Sequence, residues 1–449
     1  MSLILAAKGA MDQYLTGNPQ ISFFKVVYRR YTNFSMEIHE LTSTIFPIEA
    51  SEGGVGSSTI DKVGDLLTNM WFNFNISASA ATPSTPLAYV AWTNNTGSAI
   101  VENYKLSMGA QTIDEQDSNY LDVFNELNNN EFIENTLLNK DPVHPSSRTT
   151  GKVSASIDGS NLELFVDLKF WFCRNSGLSL PIICMQHKPL TLDFKLRGLN
   201  YCVNCTKDQK PIITFVNDYK LYGKYIYLDK DERIRFINNT HEYLIEQLQM
   251  TSYPVKKVGL TQVPILFRHP IKQLIWYLQY NNNQNSQQYF SEVGIDPSAS
   301  ATEANNYFNY DAKNFTPMSG KPPGKKHLSV NTLSTIHYPF IDTAQLFASN
   351  VKITEKMKGT YFSRYEPFTY GYNMPNKFLY MYSFALNPKE HQPSGTLNFS
   401  NIDSFRIDVD TNDKPTQTTP GEIVIMKVYG INYNVLRINS GQAGLAYSN

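Results

Sequence analysis

The four cysteines are the first residues whose chemistry could define a site. The 449-residue chain contains Cys173, Cys184, Cys202 and Cys205. Cys202 and Cys205 form a single C-x-x-C pair, but a zinc site needs two further ligands and a redox site needs a βαβ context. The sequence shows neither, so we expect four free thiols that are kept reduced in the cytosol.

Two other stretches resemble functional motifs only superficially. His241–Glu246 begins like the zinc-protease pattern H-E-x-x-H, but Ile245 stands where the second histidine would bind the metal. Gly320–Lys325 is one residue shorter than a phosphate-binding P-loop, and Pro322 and Pro323 lack the N–H groups that such a loop supplies. Neither stretch predicts a binding site.

Three acidic residues, Asp114, Glu115 and Asp117, lie close together beside a predicted turn. An enzyme would need converging carboxylates, a nucleophile–base pair or a set of metal ligands. We interpret these three as exposed surface charge, and the eight histidines are scattered without ligand spacing. The sequence therefore predicts no enzyme activity, no catalytic residue, no metal site and no cofactor.

The composition is typical of a large globular protein rich in β-structure. Hydrophobic residues make up 41% and charged residues 18%, which excludes a disordered chain. The net charge of −1 argues against direct nucleic-acid binding, which draws its affinity from a basic surplus. No apolar run reaches the roughly 20 residues that span a bilayer. Met1–Lys8 lacks the features of a signal peptide, so we expect synthesis in the cytosol.

The first half of the chain carries strand patterns separated by turn signals. Asp65–Ile76 alternates Trp71, Asn73 and Asn75 with Phe72, Phe74 and Ile76, which predicts a strand with one buried face. Further strands are predicted at Met36–Ile48, Val101–Ile113 with a turn at Met108–Ala110, Leu162–Phe172, Leu178–Met185, Leu190–Leu196 and Tyr219–Leu228. Loops are predicted at Ser51–Ser58 and Ser77–Pro86, a short surface helix at Asn119–Leu127 and a solvated connector at Asp229–Phe236.

The second half repeats this order, with Trp276 in the place of Trp71. A repeat of about 200 residues indicates two similar domains rather than a solenoid. The long polar segment Asn281–Pro339 corresponds to the loop after the first tryptophan strand and predicts an exposed, functional loop. Strands are predicted at Tyr243–Val258, Ile271–Tyr280, Ala344–Thr354, Lys377–Leu386, Thr396–Phe399, Phe405–Val409 and Glu422–Leu436.

Together these patterns predict an all-β fold. About eight short strands in each half, with few helices, favour an antiparallel sandwich, and an eight-stranded jelly roll also hides its sheet edges. We predict two consecutive eight-stranded antiparallel jelly-roll sandwiches with short helices in loops and an N-terminal arm. The arm is residues 1–34, the first jelly roll 35–228, the connector 229–241 and the second jelly roll 242–449.

The N-terminal arm carries an aromatic and basic segment. In Thr16–Pro19 the sequence predicts a turn followed by a helix, with Asn18 as N-cap and Pro19 at the first helical position. A helix of about three turns is too short to be stable alone, so it must dock on a larger surface. Apolar residues at helical spacing form one face (Phe23, Phe24, Val27, Tyr28 and Tyr31), and Lys25, Arg29 and Arg30 lie on the other.

This arm resembles the N-terminal signature of the major capsid proteins of nucleocytoplasmic large DNA viruses. Other stretches are similar to internal signatures of that family and keep their order, so that the similarity covers nearly the whole chain. They are Gly64–Leu67, Phe170–Asn175, Gly177–Pro181, His241–Gln247, His269–Lys272, Ser383–Pro388, Gln392–Ser400 and Tyr433–Tyr447.

The resemblance implies a double jelly-roll major capsid protein located in the virion and assembled in the host cytoplasm. Its homotrimers would form pseudo-hexagonal capsomers that contact neighbouring capsomers in an icosahedral shell, above minor capsid proteins and an internal viral membrane. We expect the arm to face the shell interior, with Lys25, Arg29 and Arg30 near neighbouring proteins or lipid headgroups. The alternative is a monomeric β-sandwich protein of the viral surface that binds glycans or a receptor, which its size in solution would distinguish.

Overall fold

The computed structural model describes residues 9–45, 53–80, 90–128, 136–140, 162–205, 213–281, 307–308, 310, 339–412, 423–439 and 441–447. Met1–Lys8, Gly320–Lys325 and most of the predicted loop at Asn281–Pro339 lie outside these residues, as does the end of the strand predicted at Met36–Ile48.

Strands dominate the described residues. In the first half they are β1 (Phe34–Glu40), β2 (Ser43–Ile45), β3 (Gly54–Thr59), β4 (Leu66–Ala80), β5 (Val90–Trp92), β6 (Val101–Met108), β7 (Gln111–Asp117), β8 (Leu162–Asp167), β9 (Leu190–Leu196), β10 (Val203–Cys205) and β11 (Ile213–Leu228). In the second half they are β12 (His241–Val255), β13 (Val258–Ile265), β14 (Pro270–Tyr280), β15 (Ile341–Ala348), β16 (Val351–Lys352), β17 (Met357–Lys358), β18 (Tyr380–Ser383), β19 (Leu397–Asn398), β20 (Phe405–Asn412), β21 (Val424–Asn439) and β22 (Gln442–Leu445).

The helices are short and lie between the strands. They are α1 (Ala10–Thr16), α2 (Thr96–Ile100), α3 (Ser118–Asn128), α4 (Trp171–Arg174), α5 (Lys230–Asn238) and α6 (Glu366–Thr369). Single 3₁₀ turns occur at Ser176–Leu178, Ile182–Cys184, Leu199–Cys202 and Phe399–Asn401, and a π-helical turn at Tyr361–Tyr365.

The strands form two antiparallel sandwiches with the same strand order. In the first, the sheet β1-β11-β4-β8 packs on the sheet β2-β3-β9-β6-β7, and the rings of Phe72 and Phe194 meet 5.0 Å apart between them. In the second, the sheets are β12-β21-β14-β18 and β13-β20-β15-β16. The predicted all-β fold of two consecutive antiparallel sandwiches is confirmed. The count of eight strands in each stays a prediction.

Strand β4 follows the predicted alternation, because Phe72, Phe74 and Ile76 are fully buried and face the core. The corresponding strand β14 does not reproduce the environment of the first tryptophan. Trp71 is only half-buried and stacks on Tyr222, whereas Trp276 is fully buried in the second core. The expectation that the two tryptophans play the same part is therefore wrong.

Two predicted loops are partly strand. The loop predicted at Ser51–Ser58 contains most of β3, which pairs with β9 over its whole length. The glycine explains the close approach, since a Cβ on Gly56 would lie 2.4 Å from the Phe194 ring. The predicted loop at Ser77–Pro86 begins later than expected, because β4 continues to Ala80.

The strand predicted at Leu178–Met185 is wrong, because the structure places two 3₁₀ turns there. Pro181 lies between these turns and has no N–H for a sheet ladder. Only Leu180 forms an isolated bridge, with Leu67. The predicted connector Asp229–Phe236 is the exposed helix α5, in which the Asp229 side chain accepts a hydrogen bond from the first backbone N–H.

The helix predicted to start at Pro19 is also wrong. Helix α1 precedes this point, ends at Thr16 and is closed by Gly17, whose N–H donates to the Gln13 carbonyl. Asn18 adopts a left-handed backbone with φ 50°, and Pro19 cannot extend the helix. Gly17–Pro19 is therefore a helix stop rather than a helix start, and residues 17–33 contain no helix.

Both sandwiches have their strands oriented towards the same two ends. At one end, which we call the basal end, Phe34 pairs with Leu228 and His241 pairs with Ile438. Helix α5 joins the two sandwiches there. At the opposite end, the loop end, β4 and β14 terminate, and Tyr280 pairs with Val424. The arm thus enters at the basal end, whereas the strand termini Ala80, Ile213, Asn412 and Val424 lie at the loop end.

Candidate functional site

The most distinctive feature of the molecule is the junction between the sandwiches. Strand β14 is buried at every position after Pro270. Trp276 and Leu278 belong to the second core, whereas Ile275 and Tyr277 point the other way and pack with the core of the first sandwich. The sheet β12-β21-β14-β18 is therefore covered on both faces, and its second cover is the first sandwich.

Helix α3 is the main element that the first sandwich presents to this sheet. We expected a surface helix at Asn119–Leu127, but nearly all of its residues are buried, including Asn119, Asp122 and Glu126. The predicted position of the helix is confirmed, but its predicted exposure is wrong. The junction covers the polar side of the helix as well as its apolar side.

The acidic residues predicted as exposed charge are mostly part of this junction. Asp114 and Asp117 are buried, and only Glu115 of the three is exposed. Asp117 is paired with Lys427 of β21 and accepts a hydrogen bond from the Tyr429 hydroxyl at 2.8 Å. It also accepts from the Tyr120 backbone N–H at 2.9 Å, so that one carboxylate caps α3 and binds the opposite sheet.

Two carboxylates of α3 continue this connection. Lys377 of the second sandwich donates to Asp122 at 2.6 Å and 2.8 Å. Glu126 accepts from Lys140 Nζ and from the Asn376 backbone N–H, both at 2.5 Å. Burial alone would raise the pKa of Glu126, but Lys377 and Lys140 outweigh it and hold the pKa below its usual value. Glu126 is therefore an ionised partner in the contact.

A third ionic contact is centred on Glu246 of β12. Its two oxygens accept from Arg174 of α4, at 2.8 Å, and from Lys272 of β14. Burial would raise the pKa of Glu246, but Arg174 and Lys272 outweigh it, so that the pKa is lowered. Arg174 belongs to the first sandwich and Glu246 to the second, so this pair also crosses the junction.

Neutral hydrogen bonds complete the junction. Asp114 accepts from the Leu248 backbone N–H at 2.9 Å, and the Gln247 side chain donates to the Ile113 carbonyl. Burial raises the pKa of Asp114 to about 7, although the hydrogen bond from Leu248 opposes this shift. Asp114 thus differs from its neighbours, since no cation within the described residues forms an ion pair with it.

Three residues of the segment predicted as an exposed loop also lie in the junction. Tyr307, Phe308 and Tyr310 are buried, although the polar sequence around them predicted exposure. The Tyr310 hydroxyl donates to Asp122 at 3.0 Å, and the Tyr310 ring lies 4.3 Å from the Tyr277 ring. The exposure predicted for the rest of Asn281–Pro339 lies outside the described residues.

The motifs considered for chemistry form no catalytic site in the part of the chain that the structure describes. His241 begins a strand, so a helical H-E-x-x-H geometry is excluded, and its ring stacks on Phe236. Cys173, Cys184 and Cys202 are free thiols, and burial raises the pKa of Cys202 to about 12. No group of three potential metal ligands occurs among the described residues.

The arm is the largest exposed apolar feature of the described chain. Phe23 and Phe24 are 89% and 100% exposed, and Val27, Tyr28 and Tyr31 are also exposed. The aromatic residues and cations singled out in the sequence therefore lie on the surface, in a segment that is not helical. None of the helices in the described ranges is both long enough and apolar enough to span a membrane.

Two consecutive antiparallel sandwiches of equal strand order are the architecture of double jelly-roll capsid proteins. The family model described as "Major capsid protein N-terminus" matches residues 22–229. The model described as "Large eukaryotic DNA virus major capsid protein" matches residues 232–444.

Individual relatives are similar along the whole chain. The major capsid protein of Pyramimonas orientalis virus is 32% identical over 99% of this chain and 98% of its own length. The major capsid protein of Phaeocystis pouchetii virus is 30% identical over 99% of both chains. A chain in the quasi-atomic model of the PBCV-1 virus capsid matches with a TM-score of 0.71 and 26% identity, covering 95% of this chain and 100% of that one.

The chain therefore belongs to the family of large eukaryotic DNA virus major capsid proteins. It is a structural protein of the virion capsid, where it assembles into a lattice with neighbouring capsomers. The sequence resemblance stated above is confirmed. The junction that holds its two halves together is what sequence reasoning missed.

The first prediction concerns the ion pair between Asp117 and Lys427. Replacing Asp117→Asn leaves a largely buried lysine without its counter-charge, so we expect a loss of about 3 kcal/mol in the free energy of unfolding. Glu242→Gln is the matched control, because Glu242 pairs with Arg437 and both side chains are more than 60% exposed. The control should lose less than about 1 kcal/mol in denaturant titrations. Equal losses in the two variants would contradict a stabilising junction pair.

The second prediction concerns the pH dependence caused by Asp114. Its folded pKa of about 7 lies above the ordinary value of 3.8, so the folded protein holds this proton more tightly than the unfolded chain does. The resulting stabilisation is complete below the unfolded pKa and is lost as the pH rises through about 7. It amounts to about 2 kcal/mol between pH 5.5 and pH 8.

The test compares the wild-type protein with Asp114→Asn by denaturant titration at several pH values. The difference between their free energies of unfolding should change by about 2 kcal/mol from pH 5.5 to pH 8, with the variant gaining relative to the wild type as the pH rises. A difference that is constant across this range would show that Asp114 does not titrate there.

Proposed function

We propose that this capsid protein forms homotrimeric capsomers with a pseudo-hexagonal outline. The observation that carries the proposal is the pairing of two sandwiches with equal strand order and common orientation in one rigid unit. Three such units related by a threefold axis place six similar sandwiches in a ring. In this unit, residues 1–34 are the arm, 35–228 the first jelly roll, 229–241 the connector and 242–449 the second jelly roll.

A closed trimer requires a heterologous contact whose rotation closes, in which the first sandwich of one chain meets the second sandwich of the next. An obligate contact of this kind buries roughly 2,000–5,000 Å². The internal junction supports such a contact. Its ion pairs fix the position of the two sandwiches within one chain, and they therefore also fix the angle between the outer surfaces that contact the neighbouring chains.

The trimer is tested by the mass of the purified protein in sedimentation equilibrium. We expect a mass of three times 51.1 kDa at micromolar concentration, and threefold particles with a hexagonal outline in negative stain. A stable monomer would contradict the proposal and would favour the alternative of a monomeric protein that binds glycans or a receptor.

We further propose that the arm faces the interior of the shell. The arm enters at the basal end, and the strand termini Ala80, Ile213, Asn412 and Val424 lie at the loop end. If the loop end faces outward, the exposed aromatic residues and the cations of the arm face inward. Minor capsid proteins or the headgroups of an internal membrane are the partners we assign to this side, and assembly takes place in the host cytoplasm.

Charge reversal in the arm tests this placement. The triple variant Lys25→Glu, Arg29→Glu and Arg30→Glu changes only exposed side chains, so its melting temperature and its trimer should be unchanged. Shell yield in an assembly assay should fall at least tenfold, because three attractive contacts become repulsive. The control exchanges lysine and arginine at the same positions and should assemble normally. Normal shell yield and normal trimers in the reversed variant would refute the placement.

We propose no catalytic activity for this protein. The buried carboxylates that could have served as acids or bases are engaged in the junction, where Asp117, Asp122 and Glu246 each pair with a cation. The formal net charge of −1 also gives no support to direct contact with nucleic acid.

A further inference from the structure

A cavity of about 310 Å³ opens at the junction, beside the Glu246 ion pairs. Its wall on the first sandwich comes from α3, α4 and the turn that follows α4. Its wall on the second comes from β12, β14 and the segment Pro388–His391. Its volume lies at the lower end of the range for small-molecule sites, which are mostly apolar with a few polar groups. The apolar part of the lining includes Phe124, Leu127, Trp171, Leu178, Ile275 and Tyr372.

The polar part of the lining contains more cations than carboxylates. Arg174 and Lys272 both donate to the single carboxylate of Glu246, and all three line the cavity. The next buried carboxylate is Asp114, which is engaged by the Leu248 backbone N–H and by Gln116. Because burial raises the pKa of Asp114 to about 7, it balances only part of the excess charge at neutral pH.

The charged residues at the mouth of the cavity do not neutralise this excess of positive charge. Lys389, Glu390 and His391 stand there on the segment that closes the second wall, and all three are exposed. Lys389 and Glu390 carry opposite charges that water screens. The buried excess near Arg174 and Lys272 is screened much less, because a charge inside a protein interacts through a low dielectric. Burial lowers the pKa of Lys272 although Glu246 opposes this shift, so Arg174 is the principal cation of the cavity.

Two buried donors of the lining residues also lack an acceptor. Trp171 is 1% exposed, and its Nε1 hydrogen has no hydrogen-bond partner among the described residues. The Nε hydrogen of Arg174 is likewise buried without a partner. Buried donors in native proteins are nearly always satisfied, so these two donors at the opposite ends of α4 indicate an acceptor from outside the described residues.

We propose that this cavity binds a small carboxylic acid with an apolar body. A carboxylate supplies the acceptor oxygens that Trp171 and Arg174 lack and balances the second cation beside Glu246. The apolar body lies against Phe124 and Tyr372, one from each sandwich. The ligand thereby bridges the two sandwiches, and its binding stabilises the folded unit by mass action. All of the lining residues belong to one chain, so binding of the acid does not require a trimer.

The test uses benzoate as the probe and benzamide as its neutral counterpart of nearly equal shape. In titration calorimetry on the full-length protein, we expect benzoate to bind at least tenfold more tightly than benzamide. Benzoate should also raise the melting temperature in proportion to its occupancy. Equal affinity for the two compounds, or no heat from benzoate up to 20 mM (about 200 times the dissociation constant of a 0.1 mM ligand), would overturn the proposal.

Two variants locate the binding. Arg174→Gln removes one cation and leaves the pair between Glu246 and Lys272, and we expect it to weaken benzoate at least tenfold. Trp171→Phe keeps an aromatic ring and removes only the indole N–H, and we expect a loss of at least threefold. Lys195→Gln is the control, because Lys195 is an exposed cation paired with Glu102 outside the cavity, and it should bind benzoate normally.

The three variants and the wild-type protein are first compared by their melting temperatures without ligand. If Arg174→Gln does not fold, Trp171→Phe decides the location of the site. If neither variant folds, the ratio of benzoate to benzamide affinity in the wild-type protein decides the ligand class. Unchanged benzoate affinity in a folded Trp171→Phe or Arg174→Gln protein would place the binding elsewhere and overturn the proposal.

Discussion

The sheet β12-β21-β14-β18 can be kept from water only if something covers both of its faces, and the rest of the molecule depends on this constraint. A sheet of an ordinary sandwich has one apolar face and one wet face. Here Trp276 and Leu278 fill the second core while Ile275 and Tyr277 require a second cover. The first sandwich provides this cover through α3 and β7. Separating the halves would expose aromatic side chains, so the two sandwiches form one unit.

Apolar burial explains why the halves adhere but not why they adopt one relative position. A flat apolar contact tolerates sliding, whereas ion pairs inside a low-dielectric contact are sensitive to distance and direction. Asp117, Asp122 and Glu246 each contact a cation across or beside the junction, and the contacts are spread along the shared sheet. Any slip along the strands would leave these charges buried and unpaired. The ion pairs therefore define the register, while burial of the aromatic residues favours the contact itself.

Much of the fold could be predicted from the sequence, because a sandwich strand with one wet face alternates visibly. Strand β4 is the clearest case, and the order of strands in the second half could be inferred by matching it to the first. Short elements were harder to predict from the sequence. Leu178–Met185 has the apolar composition of a strand, but Pro181 interrupts its hydrogen bonding, and local composition alone does not reveal which effect prevails.

The junction was predicted least well, since burial between two domains is a property of tertiary contact and not of local pattern. Asp114 and Asp117 were predicted to be exposed because acidic clusters usually are. Nothing in the sequence near Asp117 indicates that Lys427 is its partner. One signal was present: Ile271–Tyr280 carries apolar residues on both faces, which is typical of a strand buried on both sides.

Tyr307, Phe308 and Tyr310 have a consequence for how this protein can diversify. They attach the segment between β14 and β15 to the rigid junction. This attachment divides one long connection into two shorter ones. The entropy of closing a loop grows only logarithmically with its length, so residues can be gained or lost on either side of the attachment at little energetic cost. Each side can then vary independently in length and chemistry while the two sandwiches keep their arrangement.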